Sequence, residues 1–219
     1  IKSVISAQTK IDRVGKEKAK QHYEQIRQFI KGTVIENAPV IPVMANKGIN
    51  VDALLKEVAQ IPLPQRDTSS EPIMYIARSF DVNRPGTPIS DLLGGVVGGS
   101  IIKGKFKVGD EIEIRPGINV SQKKEAYEPI ITKIESISSG KDMLDEATAG
   151  GLIALGTDLD PSYTKADSLV GQLVGHVGKL PDVLSDIRIN YVSLDRADLP
   201  KQAFKANEAL LLGIGTGTF

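Results

Sequence analysis

Glycine spacing constrains this chain more than any other feature. Residues Gly94 to Gly117 read Gly-Gly-Val-Val-Gly-Gly-Ser-Ile-Ile-Lys-Gly-Lys-Phe-Lys-Val-Gly-Asp-Glu-Ile-Glu-Ile-Arg-Pro-Gly. Val96, Val97, Ile101 and Ile102 form an apolar run that Gly98 and Gly99 interrupt. Lys103 to Lys107 reads as a tight turn, with Gly104 free to take a positive φ. Val108, Ile112 and Ile114 then alternate with Glu111 and Glu113, the period of a half-buried strand. Paired glycines weaken a strand. They belong where a sheet bends sharply, or where a ligand or another backbone comes close. On spacing alone the stretch is the glycine-kinked corner of a small β-barrel.

The chain before it has a different rhythm. Val4 to Ala7 reads as the end of a buried strand. Residues 15–30 predict an amphipathic helix, with Ala19, Tyr23, Ile26 and Ile30 on one face. Pro39 to Val43 predicts a second, parallel strand. Asn50 is a candidate cap for a helix from Val51 whose buried face carries Leu54, Leu55, Val58 and Ile61. This alternation is an α/β pattern. A Pro-rich polar stretch, Pro62 to Pro72, follows as a linker. Short strands then recur: Ile73–Ala77, Val96–Ile102, Glu111–Ile114, Pro129–Ile137, Leu152–Leu155 and Leu169–Val177. Their spacing predicts a closed antiparallel barrel. Ser121 to Tyr127 reads as an exposed charged loop. After Pro181, Ile187 to Ser193 and Leu210 to Gly215 predict two further strands, too few to close a barrel.

The totals exclude several classes. The 219 residues carry 27 Lys and Arg against 27 Asp and Glu, so no net field attracts nucleic acid and any RNA contact needs a local patch. There is no cysteine, hence no disulfide or thiolate-zinc site, which fits a reducing compartment. No apolar run approaches the roughly 20 residues that cross a bilayer, and no signal peptide is evident. His22 and His176 lack ligand-spaced partners and read as surface or packing residues, with no metal role. The chain opens at Ile1 inside an apolar run, which predicts a fragment whose upstream part is missing.

The pattern Gly94-X-Val96-X-X-Gly99-X-Ile101-X-X-Gly104-X-Phe106-Lys107-Val108-Gly109-Asp110-Glu111-Ile112 resembles the second-domain signature of the elongation factor Tu superfamily of translational GTPases. Arg78-Ser79-Phe80-Asp81-Val82-Asn83-Arg84-Pro85-Gly86 before it, and Gly150-Gly151-Leu152-Ile153-Ala154-Leu155-Gly156-Thr157 after it, resemble the gamma subunits of translation initiation factor 2. Lys179-Leu180-Pro181-Asp182 and Arg115-Pro116-Gly117 resemble the eukaryotic form of that family. The resemblance covers nearly the whole chain. It implies an α/β plus all-β protein: the C-terminal part of a P-loop GTPase domain of Rossmann-like type (1–64), a linker (65–72), a domain II antiparallel β-barrel (73–180), and the truncated start of a second β-barrel (181–219).

Thr9-Lys10-Ile11-Asp12 resembles the guanine-reading motif Asn-Lys-X-Asp. It lies where a strand runs into a loop, the edge at which doubly wound sheets bind nucleotides. In that role the Asp12 carboxylate accepts from guanine N1–H and the exocyclic amine, a pair adenine lacks. The Lys10 stem lies across the base. The family's asparagine is Thr9 here, and a hydroxyl cannot span the same gap. Met44, Ala45 and Asn46 occupy the place of the family's Ser-Ala-X loop, whose backbone N–H donates to guanine O6. Ala45 is retained; Met44, which also reads as core filler, replaces serine. Taken as four residues, Thr9–Asp12 reads equally as ordinary loop. No Gly-X-X-X-X-Gly-Lys-[Ser/Thr] loop occurs in the 219 residues, so nothing in them cradles phosphates. The resemblance implies a GTP/GDP cofactor with Mg²⁺ whose ligands lie upstream of Ile1, and a chain unable to hydrolyse GTP by itself.

In the barrel, the resemblance implies that Arg78, Phe80, Gly94, Gly95, Val96 and Gly151 hold the 3′ end of a tRNA. Phe80 and Val96 read equally as core. Lys103, Lys105, Lys107, Arg115, Lys123 and Lys124 offer a basic edge, or with Glu111, Glu113 and Glu125 a mixed solvated face. The implied partners are initiator methionyl-tRNA, the alpha and beta subunits of the same factor, the small ribosomal subunit, and guanine-nucleotide exchange and GTPase-activating factors. The implied setting is cytoplasmic, without a membrane. The alternatives are another translational GTPase, such as an elongation or selenocysteine-specific factor, a paralogue without nucleotide binding, and a non-catalytic barrel that binds tRNA or protein.

Overall fold

The computed structural model describes residues 3–120, 126–184, 186–191 and 204–218. The chain divides into two compact units, Ile1–Pro64 with Ile189–Lys205, and Gln65–Arg188 with Ala206–Phe219.

The first unit is built on two parallel strands, β1 (Ser6–Gln8) and β2 (Val40–Pro42), in register Ser6↔Val40, Ala7↔Ile41 and Gln8↔Pro42. Parallel neighbours need a crossover, and helix α1 (Lys16–Ile30) supplies it. Its Lys, Glu, Gln and Ala favour helix. Ala19, Tyr23 and Ile26 are its half-buried positions and Ile30 its buried one, the face that the period predicts. Gly32, at φ +75°, ends the turn beyond the helix. Gln8 is 3% exposed, and its amide donates to the Ala19 carbonyl at 2.8 Å, which locks β1 to α1. Helix α2 (Val51–Ala59) departs from expectation. Its half-buried positions are Val51, Leu54 and Glu57, while Leu55, Val58 and Ile61 are exposed. A sheet of two strands covers only a narrow helical stripe. Asn50 does not cap α2 with its side chain. It sits at φ +60°, and its amide donates to the Pro42 carbonyl at 2.8 Å.

The second unit is a barrel. Its strands are β3 (Ile73–Phe80), β4 (Val96–Lys103), β5 (Lys105–Lys107), β6 (Glu111–Asn119), β7 (Tyr127–Ser139), β8 (Asp142–Leu144), β9 (Glu146–Thr148), β10 (Ile153–Thr157) and β11 (Leu173–His176). Six of them close antiparallel in the order β10–β4–β3–β11–β6–β7, with β7 pairing back to β10. Closure removes the exposed edges that an open sheet would leave. β8 extends β7 as a hairpin, β5 pairs β9 beside the ring, and β12 (Gly213–Ile214) pairs β13 (Gly217–Thr218). The core is rich in isoleucine: Ile76, Ile112, Ile114, Ile134 and Ile137 are fully buried with Met74, Phe106 and Leu155. Each such side chain contributes about 1.5–3 kcal/mol by leaving water.

Several expectations for the chain from the barrel onward need correction. Of Leu169–Val177, only Leu173–His176 is strand, because Gly171 turns the chain at φ +90°. Of Leu210–Gly215, only Gly213–Ile214 is strand, and residues 186–191 form none. Val108 lies in the turn before β6 and is exposed. Glu113, expected to face solvent, is 4% exposed. Arg115 Nε donates to it at 2.7 Å and the Gly178 amide at 2.9 Å, because the segment after β11 covers this side of β6. Tyr127 belongs to β7, while residues 121–125, with Lys123, Lys124 and Glu125, lie outside the described residues.

Carboxylates pin the barrel's loops. Asp158 accepts from the Thr132 hydroxyl and from the Lys133 amide at 3.0 Å, tying the turn after β10 to β7. Asp67 accepts from the Ser70 and Ser69 hydroxyls and from both their amides, while its own carbonyl accepts from Gly104 at 2.7 Å. These donors stabilise the charged form. They hold Asp158 below the ordinary 3.8, chiefly through Thr132, and Asp67 far below it, chiefly through Ser70. A group whose pKa is depressed on folding adds stability above the unfolded value and loses it as pH falls through the folded one. We therefore expect Tm to be flat from pH 7 to 5 and to fall once pH drops below about 4. Asp158→Asn should make that acid limb shallower, with the Asp67 share remaining, and an unchanged limb would contradict the assignment.

Candidate functional site

The carboxyl ends of β1 and β2 lie side by side, and each runs into a loop that carries a predicted motif. The Val43 amide donates to the Gln8 carbonyl at 2.8 Å, which holds the two loops together at their start. Thr9, Lys10, Asp12, Arg13, Ala45 and Asn46 line one open cavity of about 560 Å³. Lys10 takes a left-handed conformation at φ 59°, ψ 32°, and its carbonyl accepts from the Arg13 amide at 3.1 Å. That single turn lifts Asp12 into the cavity. A non-glycine residue held there is strained, a feature that gathers at binding loops. Ile11 is half-buried beneath the turn. Met44 is also half-buried; its amide and carbonyl pair with Ile49 at 3.1 and 3.2 Å and close the second loop. The Asn46 amide donates to Asp12 Oδ2 at 3.4 Å. No local pattern signals this brace, since 34 residues separate the two.

The barrel candidates fall into two places. Phe80 pairs with Val96 across β3 and β4, and Arg78 with Gly98. Phe80 is 38% exposed and Val96 half-buried, so neither is core. Gly94 and Gly95 adjoin them. Their missing side chains admit the barrel's own atoms: a Cβ on Gly94 would lie 1.9 Å from the Thr157 carbonyl oxygen, and one on Gly95 2.4 Å from Thr164 Oγ1. The Gly95 amide donates to the Leu159 carbonyl at 2.8 Å. Gly151 lies elsewhere. The Gly150 amide bonds the Ile101 carbonyl at 3.0 Å, five residues along β4 from Val96, roughly 17 Å of strand.

The basic edge is partly paired where it is described. Lys105 and Lys107 lie 3.7 and 3.9 Å from Glu146, and Arg115 lies 2.7 Å from Glu113. Both histidines have side-chain partners. Gln8 and His22 Nδ1 share a hydrogen bond at 3.2 Å. His176 sits 2.9 Å from Glu71 and 3.3 Å from Asp110, with its ring edge-on to Phe106. Those partners are 105 and 66 residues away, beyond any spacing rule. Among the described residues no group of three such side chains could hold a metal ion, and no helix is long and apolar enough to cross a membrane.

Residues 94–175 match the family model described as Elongation factor Tu domain 2. Two curated relatives extend the match to the whole chain. The translation initiation factor 2 subunit gamma of Archaeoglobus fulgidus is 47% identical over 222 residues, 99% of this chain and 52% of the relative. That of Pyrococcus furiosus is 50% identical over 222 residues, 98% of this chain and 54% of the relative. Over nearly its whole length the chain is similar to the gamma subunits of translation initiation factor 2. It spans about half the length of the curated relatives it matches. Among solved structures, translation elongation factor SelB from Methanococcus maripaludis in complex with the GTP analogue GPPNHP superposes with a TM-score of 0.61 at 25% identity. That match covers 80% of this chain and 35% of SelB. These matches agree with both halves of the fold, an α/β part and a closed barrel of the elongation factor Tu type.

Proposed function

We propose that this chain belongs to a GTP-dependent switch that binds initiator methionyl-tRNA and delivers it to the small ribosomal subunit. In the whole protein, residues 1–64 form the end of the G domain, 65–72 a linker, 73–180 the domain II barrel and 181–219 the start of domain III. The observation that carries this reading is the 47–50% identity to initiation factor gamma subunits across 98–99% of the chain. The elongation-factor alternative has weaker support: SelB shares 25% identity over the 80% of this chain on which it superposes.

The chemistry of the first site supports guanine. Asp12 is an acceptor pair for N1–H and the exocyclic amine, Lys10 offers its stem to the base, and Ala45 offers a loop amide to O6. Asn46 compensates for Thr9: its amide steadies the Asp12 carboxylate, a brace the threonine hydroxyl is too short to make. The fit is to the base alone. Phosphates and Mg²⁺ need a phosphate-binding loop, a motif these 219 residues do not contain. The Mg²⁺ neutralises phosphate charge when bound, and hydrolysis belongs to the whole protein. Its state switches tRNA affinity, and the alpha subunit (on domain II), the beta subunit (on the G domain), exchange factors and GTPase-activating factors act on that switch in the cytoplasm.

Fluorescent GDP titration of the full-length protein tests this reading. GTP should compete and ATP should not. Asp12→Ala removes two charge-assisted hydrogen bonds and should weaken GDP about 100-fold. Asn46→Ala should weaken it several-fold. Competition by ATP, or unchanged affinity in Asp12→Ala, would overturn the guanine site.

A further inference from the structure

The end of β3 that carries Arg78 and Phe80 is held by a loop that no motif singled out. Ala166 and Asp167 are consecutive residues in the left-handed region, at φ 57° and φ 60°. Neither is glycine, so the conformation persists only because its surroundings enforce it. Thr164 Oγ1 donates to the Phe80 carbonyl at 3.1 Å, and the Leu169 amide donates to Ser79 Oγ at 3.1 Å. The enforced turn puts one carboxylate oxygen at two donors together. Asp167 Oδ1 accepts from the Ser79 amide and from Arg78 Nε, both at 2.9 Å.

β3 is irregular at the same place. Ile76 faces Gly99 and Arg78 faces Gly98, so Ala77 is the extra residue of a β-bulge, a device that re-aims a side chain. Gly98, across from Arg78, brings no side chain of its own. The guanidinium is thus held by Nε alone. Among the described residues its two terminal nitrogens make no hydrogen bond, and the side chain is 69% exposed. A guanidinium fixed at Nε presents its remaining N–H groups as a planar fork, the geometry that matches two phosphate oxygens.

We propose that Asp167 is a positioning residue that holds Arg78 as a preformed phosphate clamp for the 3′-terminal backbone of the tRNA. The proposal rests on the tRNA-binding reading of the barrel. Preorganisation is what the carboxylate contributes. An unanchored arginine would lose side-chain freedom on binding, whereas this one has already lost it. Asp167 touches no RNA. Its net charge would repel phosphate, and pairing with Nε and the Ser79 amide offsets that repulsion while leaving the terminal nitrogens available.

The test is binding of initiator methionyl-tRNA to the full-length protein, measured across a salt series for Arg78→Ala, Asp167→Ala, Asp167→Asn and the double alanine variant. Arg78→Ala should weaken binding about 10-fold and reduce the slope of log K against log salt by about one. Asp167→Asn keeps an oxygen acceptor at the same place and should bind within about 2-fold of wild type. Asp167→Ala should weaken binding 5- to 10-fold, and the double variant should be no weaker than Arg78→Ala alone. Thermal melting identifies any variant that fails to fold; Asp167→Glu, which displaces the acceptor, then carries the comparison and should bind like Asp167→Ala, and wild-type binding in it would overturn the positioning role. Unchanged binding in Arg78→Ala overturns the tRNA-end reading itself. Weaker binding in Arg78→Ala with normal binding in Asp167→Ala overturns the positioning role alone. Additive losses in the double variant also overturn it, because Asp167 would then act through something other than Arg78.

Discussion

Gly99→Ala should cost the barrel about 4 kcal/mol or more, whereas Gly98→Ala, one residue earlier, should change stability by less than about 1 kcal/mol. Neither glycine has a positive φ, so backbone freedom does not separate them. Proximity does. A Cβ on Gly99 would lie 1.8 Å from the Tyr75 carbonyl oxygen and 2.9 Å from its carbon. Backbone cannot rotate aside as a side chain can, so β3 and β4 would have to part where Ile76 pairs with Gly99. The core residues Met74, Ile76, Val97 and Ile101 pack on those same two strands. A Cβ on Gly98 meets nothing nearer than the Ile153 carbonyl oxygen at 3.7 Å and Arg78 Cβ at 3.9 Å, ordinary contact distances. Alanine there also restricts the unfolded chain, which favours the fold. Urea midpoints of the two variants at equal slope decide the matter. Similar losses in both would mean that the glycine pair serves bending and not close approach.

That contrast marks what the sequence could and could not disclose. A glycine pair inside an apolar run announces a bend or a close approach, and the barrel corner follows. It does not announce which glycine is indispensable, because that depends on the Tyr75 carbonyl of another strand. Periodicity located the buried face of α1 and the strands of the ring, since burial there repeats every turn or every second residue. The Thr9–Asp12 and Met44–Asn46 loops were legible as one site because both follow parallel strands. What stayed hidden was set by distant partners. Asp167 meets the Ser79 amide across 88 residues, and its left-handed turn carries no glycine or asparagine to signal it. Leu169–Val177 carries enough Leu and Val to read as one strand, yet Gly171 turns it. The resemblance groups Gly151 with the barrel candidates, yet it follows Gly150, whose amide bonds Ile101 toward the far end of β4.

Arg115→Met should destabilise the barrel by about 3 kcal/mol, through the charge it abandons more than through the bonds it loses. Strict alternation along β6 assigns Glu113 to solvent. The chain instead folds the segment after β11 over it, leaving the carboxylate with two donors, Arg115 Nε and the Gly178 amide. Arg115 is spoken for on its other side as well, with Nη1 donating to the Leu180 and Pro181 carbonyls at 3.3 and 3.0 Å. One arginine therefore neutralises a buried carboxylate and fastens the covering segment that buries it. Removing it strands a charge out of water and frees the cover at once. Glu113→Gln should cost only about 1–2 kcal/mol, since the amide oxygen still accepts from Gly178 and Arg115 keeps the Leu180 and Pro181 carbonyls and Asp182 at 3.5 Å. The pair Glu113→Leu with Arg115→Met should recover most of the loss, because two well-packed apolar groups replace an ion pair with little change in stability. It should stop about 1 kcal/mol short of wild type, the share of the Leu180 and Pro181 carbonyls. Hydrogen exchange gives an independent reading: in Arg115→Met the Gly178 amide should lose protection before the barrel strands do. A urea midpoint for Arg115→Met within the error of wild type would mean that Glu113 is hydrated in solution, and that the segment after β11 does not seal this side of the barrel.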